Sequence, residues 1–208
     1  MVEETIVSKG QKGFNETTGS ALTAESFTAY IENMKENEPE KYAKKKNELE
    51  KKSSRPNIVA WGAPESQVDN FKLVSKYIEK GETLLDFGCG IGDFIEHLGD
   101  IDKYPSNYLG VDINRNYIEI ASESYPDNKF KLIRSIDDIG EEKWDNICAI
   151  GVFTWYIDKE DFINIINKLY NSCNKNLLLT FLYRKNIKYD DDFWNSKYRY
   201  YNEELFKT

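Results

Sequence analysis

The chain has 208 residues, 28 Lys/Arg against 36 Asp/Glu for a net charge of −8, and a mean hydropathy of −0.66. That length suits one domain with a sizeable core and leaves room for an appendage. The acidic balance disfavours a long phosphate backbone as partner, and no apolar run nears the roughly 20 residues of a membrane span. The charge is uneven. Residues 1–56 hold ten basic and ten acidic residues, so the whole deficit falls on residues 57–208. The start, Met-Val-Glu-Glu-Thr, lacks the basic flank and apolar stretch of a signal peptide. Cys89, Cys148 and Cys173 are widely spaced and odd in number. They suggest reduced thiols in a cytoplasm, with no metal site and no disulfide framework.

Residues 1–22, rich in Gly, Ser, Thr and Glu, predict a loose start. Phe27, Tyr30, Ile31 and Met34 predict a helix over 23–35, interrupted at Pro39, and a charged second helix spans 40–52. Ser53-Ser54-Arg55-Pro56 marks a linker. Residues 1–56 are thus a helical, partly disordered extension to a domain at 57–208. Trp61-Gly62-Ala63-Pro64-Glu65-Ser66-Gln67 leads into a helix with Val68, Phe71, Val74 and Ile78 on one stripe and Gly81 as its closing glycine.

Next comes Leu84–Phe94, an apolar run followed by alternating Gly88, Gly90 and Gly92 and an apolar helix start. This is the pattern of a buried parallel strand (83–87), a tight turn and a helix N-terminus. Glycines suit it because the backbone must turn sharply and admit a ligand with no Cβ in the way. A dinucleotide loop would read Gly-x-Gly-x-x-Gly; here the spacing is Gly-x-Gly-x-Gly, and Asp86 precedes the first glycine by two. A carboxylate there repels a pyrophosphate and can pair with a cationic amino group.

A second strand, 107–112, ends in Asp112, placed to take hydrogen bonds from a ribose diol. Ile113 follows, and Asn114 caps the next helix. Strand three is read at 129–133, followed by Arg134-Ser135-Ile136-Asp137, and strand four at 144–150, followed by Gly151-Val152-Phe153-Thr154-Trp155-Tyr156. Asp158 and Asp161 open a helix whose Phe162, Ile165, Ile166, Leu169, Tyr170 and Cys173 recur at helical spacing. Strand five, 176–182, is apolar enough to be buried on both faces. His97, the only histidine, is read as structural, and Cys148 as core.

The triple-glycine loop between Asp86 and Asp112 resembles motif I of the class I S-adenosylmethionine (SAM) methyltransferases, over about residues 57–184. The resemblance implies an α/β, Rossmann-like, doubly wound and mostly parallel sheet, with SAM as cofactor. It implies Asp86 near the methionine amino group, Gly88 and Gly90 giving backbone room, Asp112 on the ribose and Ile113 on the adenine face. Trp-Gly-x-x-x-Ser-Gln resembles a subgroup's segment over the SAM pocket. Trp61 and Gln67 are therefore candidate cofactor contacts, with Trp61 equally readable as a helix anchor. An acidic residue usually holds the adenine amino group after strand three; Arg134 cannot accept, so Ser135, Asp137 or a carbonyl must substitute. Gly151 opens the loop facing the methyl donor.

Around the acceptor, the candidates are Phe153, Trp155, Tyr156 and Tyr183, as a pocket or as ordinary packing; no side chain is assigned as catalytic. The loop after strand four lacks the Asn/Asp-Pro-Pro-Tyr/Phe motif of the subclasses that methylate adenine or glutamine nitrogen and the Pro-Cys motif of cytosine C5 methylation. The implied function is methyl transfer to a small-molecule or protein acceptor. A SAM-binding module without chemistry is the alternative. The family adds two antiparallel strands after strand five, and Tyr183–Thr208 does not read as two strands. The expectation is a truncated chain or a five-stranded sheet with an exposed edge.

Overall fold

The computed structural model describes residues 7–8, 39–40, 59, 64–154, 157–182, 188–191, 193 and 201. Five strands form one parallel sheet: β1 (Thr83–Phe87), β2 (Asn107–Asp112), β3 (Lys129–Leu132), β4 (Trp144–Ala149) and β5 (Cys173–Leu179). Their order is β3-β2-β1-β4-β5, so the chain winds outward one way from β1 and then returns to wind the other way. The crossovers are α2 (Asp93–Asp100), α3 (Arg115–Ser124) and α4 (Lys159–Ser172), and α1 (Pro64–Val74) precedes the sheet. The α/β Rossmann-like expectation holds, and β1 and β2 have their predicted bounds.

Strand alternation divides the core in two. Leu85 and Phe87 face a cluster with Val111, Trp144, Ile147, Phe153, Phe162 and Leu169. Leu84 faces the other side, with Phe71, Ile78, Phe94, Leu98, Tyr108 and Cys148. Cys148 is core, as expected. His97 packs its ring 5.8 Å from Phe71 and 6.3 Å from Phe94, with Nε2 3.5 Å from Ser75 Oγ.

Several expectations are corrected. α1 ends at Val74 and tightens into a 3-10 turn, Ser75–Tyr77, whose end is capped by Lys103 Nζ on the Ser75 and Ile78 carbonyls. Gly81 therefore closes no helix; with φ +83° it makes the turn into β1. Val68 is exposed, because α1 meets the sheet through Phe71 and Val74. On α4, Phe162 and Leu169 are buried but Tyr170 is 70% exposed, a width of stripe the single packing partner does not cover. Cys173 is the first residue of β5, which follows α4 with no loop between.

β5 is half-buried rather than covered on both faces, since it pairs only with β4 among the described residues. It breaks at Thr180, whose Oγ1 accepts from Gly151 N at 2.8 Å. The continuation, β6 (Phe181–Leu182), pairs in parallel with Val7–Ser8, so those two residues of the expected loose start are in a strand. The tail also supplies core: Phe193 and Tyr201 are buried, and the Tyr201 hydroxyl donates to the Phe153 carbonyl at 3.1 Å. Pro39 and Glu40 are helical. The rest of the two predicted N-terminal helices lies outside the described residues.

The amino end of the sheet is closed by side chains. Thr83 N and Oγ1 donate to Asp145 Oδ2 at 2.9 and 3.0 Å. Asn146, fully buried, donates to Glu82 Oε2 at 2.7 Å and accepts from Asn176 Nδ2 at 2.8 Å. Lys175 Nζ pairs with Glu82.

Candidate cofactor site

The carboxyl end is built differently. After Phe87 the chain turns on Gly88, Gly90 and Gly92, with φ of +77°, +56° and +85°, a region closed to most L-residues. The turn is pinned to β2: Gly88 N and Cys89 N both donate to Val111 O, at 2.8 and 3.0 Å. Each glycine is also covered from within. A Cβ on Gly88 would lie 2.3 Å from Val152 Cγ2, on Gly90 2.7 Å from Val59 Cγ1, and on Gly92 2.8 Å from the Tyr125 ring. Val59 places a residue just upstream of the Trp-Gly segment directly on the loop.

Asp112 joins the loop to the turn into α3. One carboxyl oxygen accepts from Gly90 N at 3.0 Å and the other from Asn114 N at 2.8 Å. Ile113, beside it, is 45% exposed. Asn114 caps α3 by accepting from Asn116 N, while its buried Nδ2 has no hydrogen-bond partner among the described residues. Asp86 lies one strand over. Its carboxyl is buried and turned toward the α1/α2 side of the sheet, where it accepts from Tyr108 OH at 3.0 Å and from Cys148 Sγ at 3.4 Å. Burial pushes both carboxyls up to about 6; for Asp86 the Tyr108 and Cys148 hydrogen bonds oppose this and the Asp112 charge adds to it. Among the described residues no Lys or Arg pairs with either carboxyl.

Gln67 is buried on α1 and donates to Asp93 Oδ2 at 3.2 Å, bracing α1 against the first turn of α2. Ser135 is spent locally: its hydroxyl accepts from Asp137 N at 3.0 Å, and Asp138 caps Arg134 N and Ser135 N in return. Gly151 has φ +75° and is tied to Thr180. Phe153 is fully buried, 5.3 Å from the Phe162 ring and 5.7 Å from that of Phe181, which makes it a core side chain. Trp61, Trp155, Tyr156 and Tyr183 lie outside the described residues. Asp86, Gly88, Gly90 and Asp112 are thus brought together beneath one loop, Ile113 and Gln67 flank it, and Ser135 and Phe153 are engaged elsewhere. Sequence reading missed Tyr108, Val59, Val152 and Thr180. Only Tyr108 carried a signal, as a hydroxyl in an otherwise apolar strand.

The profile of the methyltransferase-domain family matches residues 34–204. The chain belongs to this family. Its domain is of the SAM-dependent, Rossmann-like class, and the match begins inside the segment read as an extension. An uncharacterized Rickettsia prowazekii protein, RP028, is 38% identical over 98 residues, 42% of this chain and 38% of that one. The SAM-dependent methyltransferase UmaA of Mycobacterium tuberculosis is 32% identical over 83 residues, covering 37% of this chain and 28% of its own length. The chain thus spans less than half of these relatives. In fold it is similar to the TehB-like SAM-dependent methyltransferase of Corynebacterium glutamicum, with TM-score 0.51 at 18% identity over 73% of this chain and 72% of that one.

The residues of this methyltransferase domain fit the cofactor. Two buried carboxyls with no counter-cation among the described residues suit a ligand bearing ammonium and sulfonium charges. The exposed Ile113 suits a flat apolar ring. No helix among the described residues is long and apolar enough to cross a membrane, and no His/Cys/Asp/Glu cluster among them could hold a metal.

Proposed function

We propose that residues 57–208 bind SAM at the carboxyl ends of β1 and β2 and transfer its methyl group to a small-molecule or protein acceptor in the cytoplasm. Residues 1–56 are read as a helical extension. The observation that carries this reading is the pair Asp86 and Asp112, two buried acids with uncharged donors and no cation partner among the described residues. Burying carboxylates unpaired costs several kcal/mol each, a cost that a cationic ligand offsets and a pyrophosphate would increase.

When bound, SAM supplies a methyl carbon already activated for in-line displacement: the acceptor's lone pair bonds that carbon as the carbon–sulfur pair returns to sulfur. The chain contributes charge, position and exclusion of water. Asp86 and Asp112 set a negative field, Ile113 offers an apolar face, and Gln67 fixes the helix that follows the loop. Alignment of this kind supplies roughly 7–11 kcal/mol without a dedicated base. Trp61 is a candidate cofactor contact, and Trp155, Tyr156 and Tyr183 are the candidate acceptor contacts.

The test is calorimetric titration with S-adenosylhomocysteine, with NADH as control. Micromolar affinity for the first and none for the second is expected, and Asp86→Ala should weaken binding on the order of 100-fold or more. Binding of NADH, or no binding of either, would overturn the assignment. A second reading, a SAM-binding module without chemistry, is favoured by the local capping of Ser135 and Asp138, which leaves Asp137 or a backbone carbonyl to accept from the adenine amino group. Tight binding with no turnover over a broad acceptor panel would select it.

A further inference from the structure

The Asp86 carboxyl is held by two elements that no motif marks. β1 is the central strand, with Gly110 of β2 opposite Asp86 on one side and Cys148 of β4 on the other. Gly110 puts no side chain against the carboxyl, so the contact from β2 comes from Tyr108, two residues earlier on the same face. Tyr108 OH reaches Oδ2 at 3.0 Å, and Cys148 Sγ reaches Oδ1 at 3.4 Å. Each oxygen therefore has one donor, and both donors are fully or nearly fully buried. Neither donor is a cation. A lysine or arginine would cancel the negative charge before any ligand arrived, whereas a hydroxyl and a thiol orient the carboxylate and leave its charge in place.

We propose that Tyr108 and Cys148 are positioning residues that hold the Asp86 carboxylate ionised and oriented as the fixed negative charge of the cofactor site. This deepens the SAM-binding reading and rests on it. The titratable groups that face Asp86 are Tyr108 from β2, Cys148 from β4, Cys89 from the glycine loop and Asp112 at the end of β2. Burial and the Asp86 charge push the Tyr108 phenol and the Cys148 thiol well above their ordinary range, so both stay protonated and able to donate. Cys89 turns its thiol toward the Gly90 carbonyl at 3.6 Å. The hydrogen bonds from Tyr108 and Cys148 favour the ionised carboxyl, against burial and the Asp112 charge.

The experiment is titration of the full chain with S-adenosylhomocysteine across pH 5–8, for wild type, Tyr108→Phe, Cys148→Ala and Cys148→Ser. Wild-type affinity should fall as pH drops through about 6 and the carboxyl protonates. Tyr108→Phe should bind roughly tenfold more weakly at pH 7, with its midpoint moved to higher pH, as expected when a charged group loses a donor. Cys148→Ala should move the midpoint the same way, and Cys148→Ser, which keeps a donor, should leave it near wild type. A folded Tyr108→Phe with the wild-type midpoint overturns the proposal. Should Tyr108→Phe fail to fold, the Cys148→Ala and Cys148→Ser pair decides: equal midpoints overturn it.

If wild type binds nothing at any pH, the SAM-binding reading falls. Positioning is then judged on the ligand-free protein. Tyr108→Phe should shift the pH dependence of the unfolding midpoint in the wild-type background and leave it unshifted in Asp86→Asn. An equal shift in both backgrounds would overturn it.

Discussion

The two ends of the β-sheet solve the same problem in opposite ways. At the amino end, Glu82, Asp145, Asn146, Lys175 and Asn176 answer one another across three strands, and the charge on Glu82 meets an ammonium. At the carboxyl end, Asp86 and Asp112 are more deeply buried than Glu82, Asp145 or Lys175, yet among the described residues they receive only neutral donors. The amino end is finished by folding: Glu82 meets the Lys175 ammonium, and the half-exposed Asp145 is held by Thr83. Among the described residues no cation answers the acids at the carboxyl end, and the proposed affinity for a cationic ligand rests on that contrast. The contrast predicts that changes at one end should lower stability with binding intact, while changes at the other should trade binding against stability.

The largest effect is expected at Gly88. Alanine there must hold φ +77° and place its Cβ 2.3 Å from Val152 Cγ2. Strain and overpacking together should cost about 3 kcal/mol or more, read as a lower denaturation midpoint. Next is Asp86→Asn, where the sign depends on pH. The folded carboxyl titrates near 6 against an ordinary 3.8, so the folded state holds its proton more tightly than the unfolded one. The stabilisation from that proton is complete below pH 4 and is lost as pH rises through about 6. An asparagine loses nothing over that window. Asp86→Asn should therefore gain on wild type by about 3 kcal/mol between pH 4 and 8, at about 1.4 kcal/mol per pKa unit, while failing to bind S-adenosylhomocysteine. Thermal unfolding at both pH values, beside calorimetry, checks it. A flat difference would mean that Asp86 is not the buried charge. The smallest effect tests the other end: Asn146→Ala should destabilise by about 1–3 kcal/mol, because Glu82 and Asn176 each lose one hydrogen-bond partner, with cofactor affinity unchanged. Altered affinity would erase the distinction between the ends.

What the sequence disclosed follows the same division. Local signals were legible: the apolar runs of β1 and β2, the glycine spacing and the acid ending β2 each declare themselves within a dozen residues. Contacts set by register were not. Tyr108 meets Asp86 because β2 lies beside β1 at one particular offset, and Cys148 because β4 lies on the other side. Thr180 reads as one more residue of an apolar strand, and only its bond to Gly151 shows why the strand breaks there. Ser135 looked available for adenine because its capping partner, Asp138, is three residues on in a turn the periodicity does not reveal. Phe153 could be read as pocket lining or as packing; Phe181 of β6 stacks on its ring, and Tyr201, from a tail without periodicity, holds its carbonyl.

The glycines carry a consequence for how such chains age. Gly88, Gly90 and Gly92 are each pressed by a side chain of the protein itself, Val152, Val59 and Tyr125. A descendant that had stopped methylating anything would still be penalised for replacing them, since the penalty is levied in folding. In a lineage drifting toward a scaffold role, the three glycines should therefore outlast the chemistry, and the uncompensated acids should be the first letters to go.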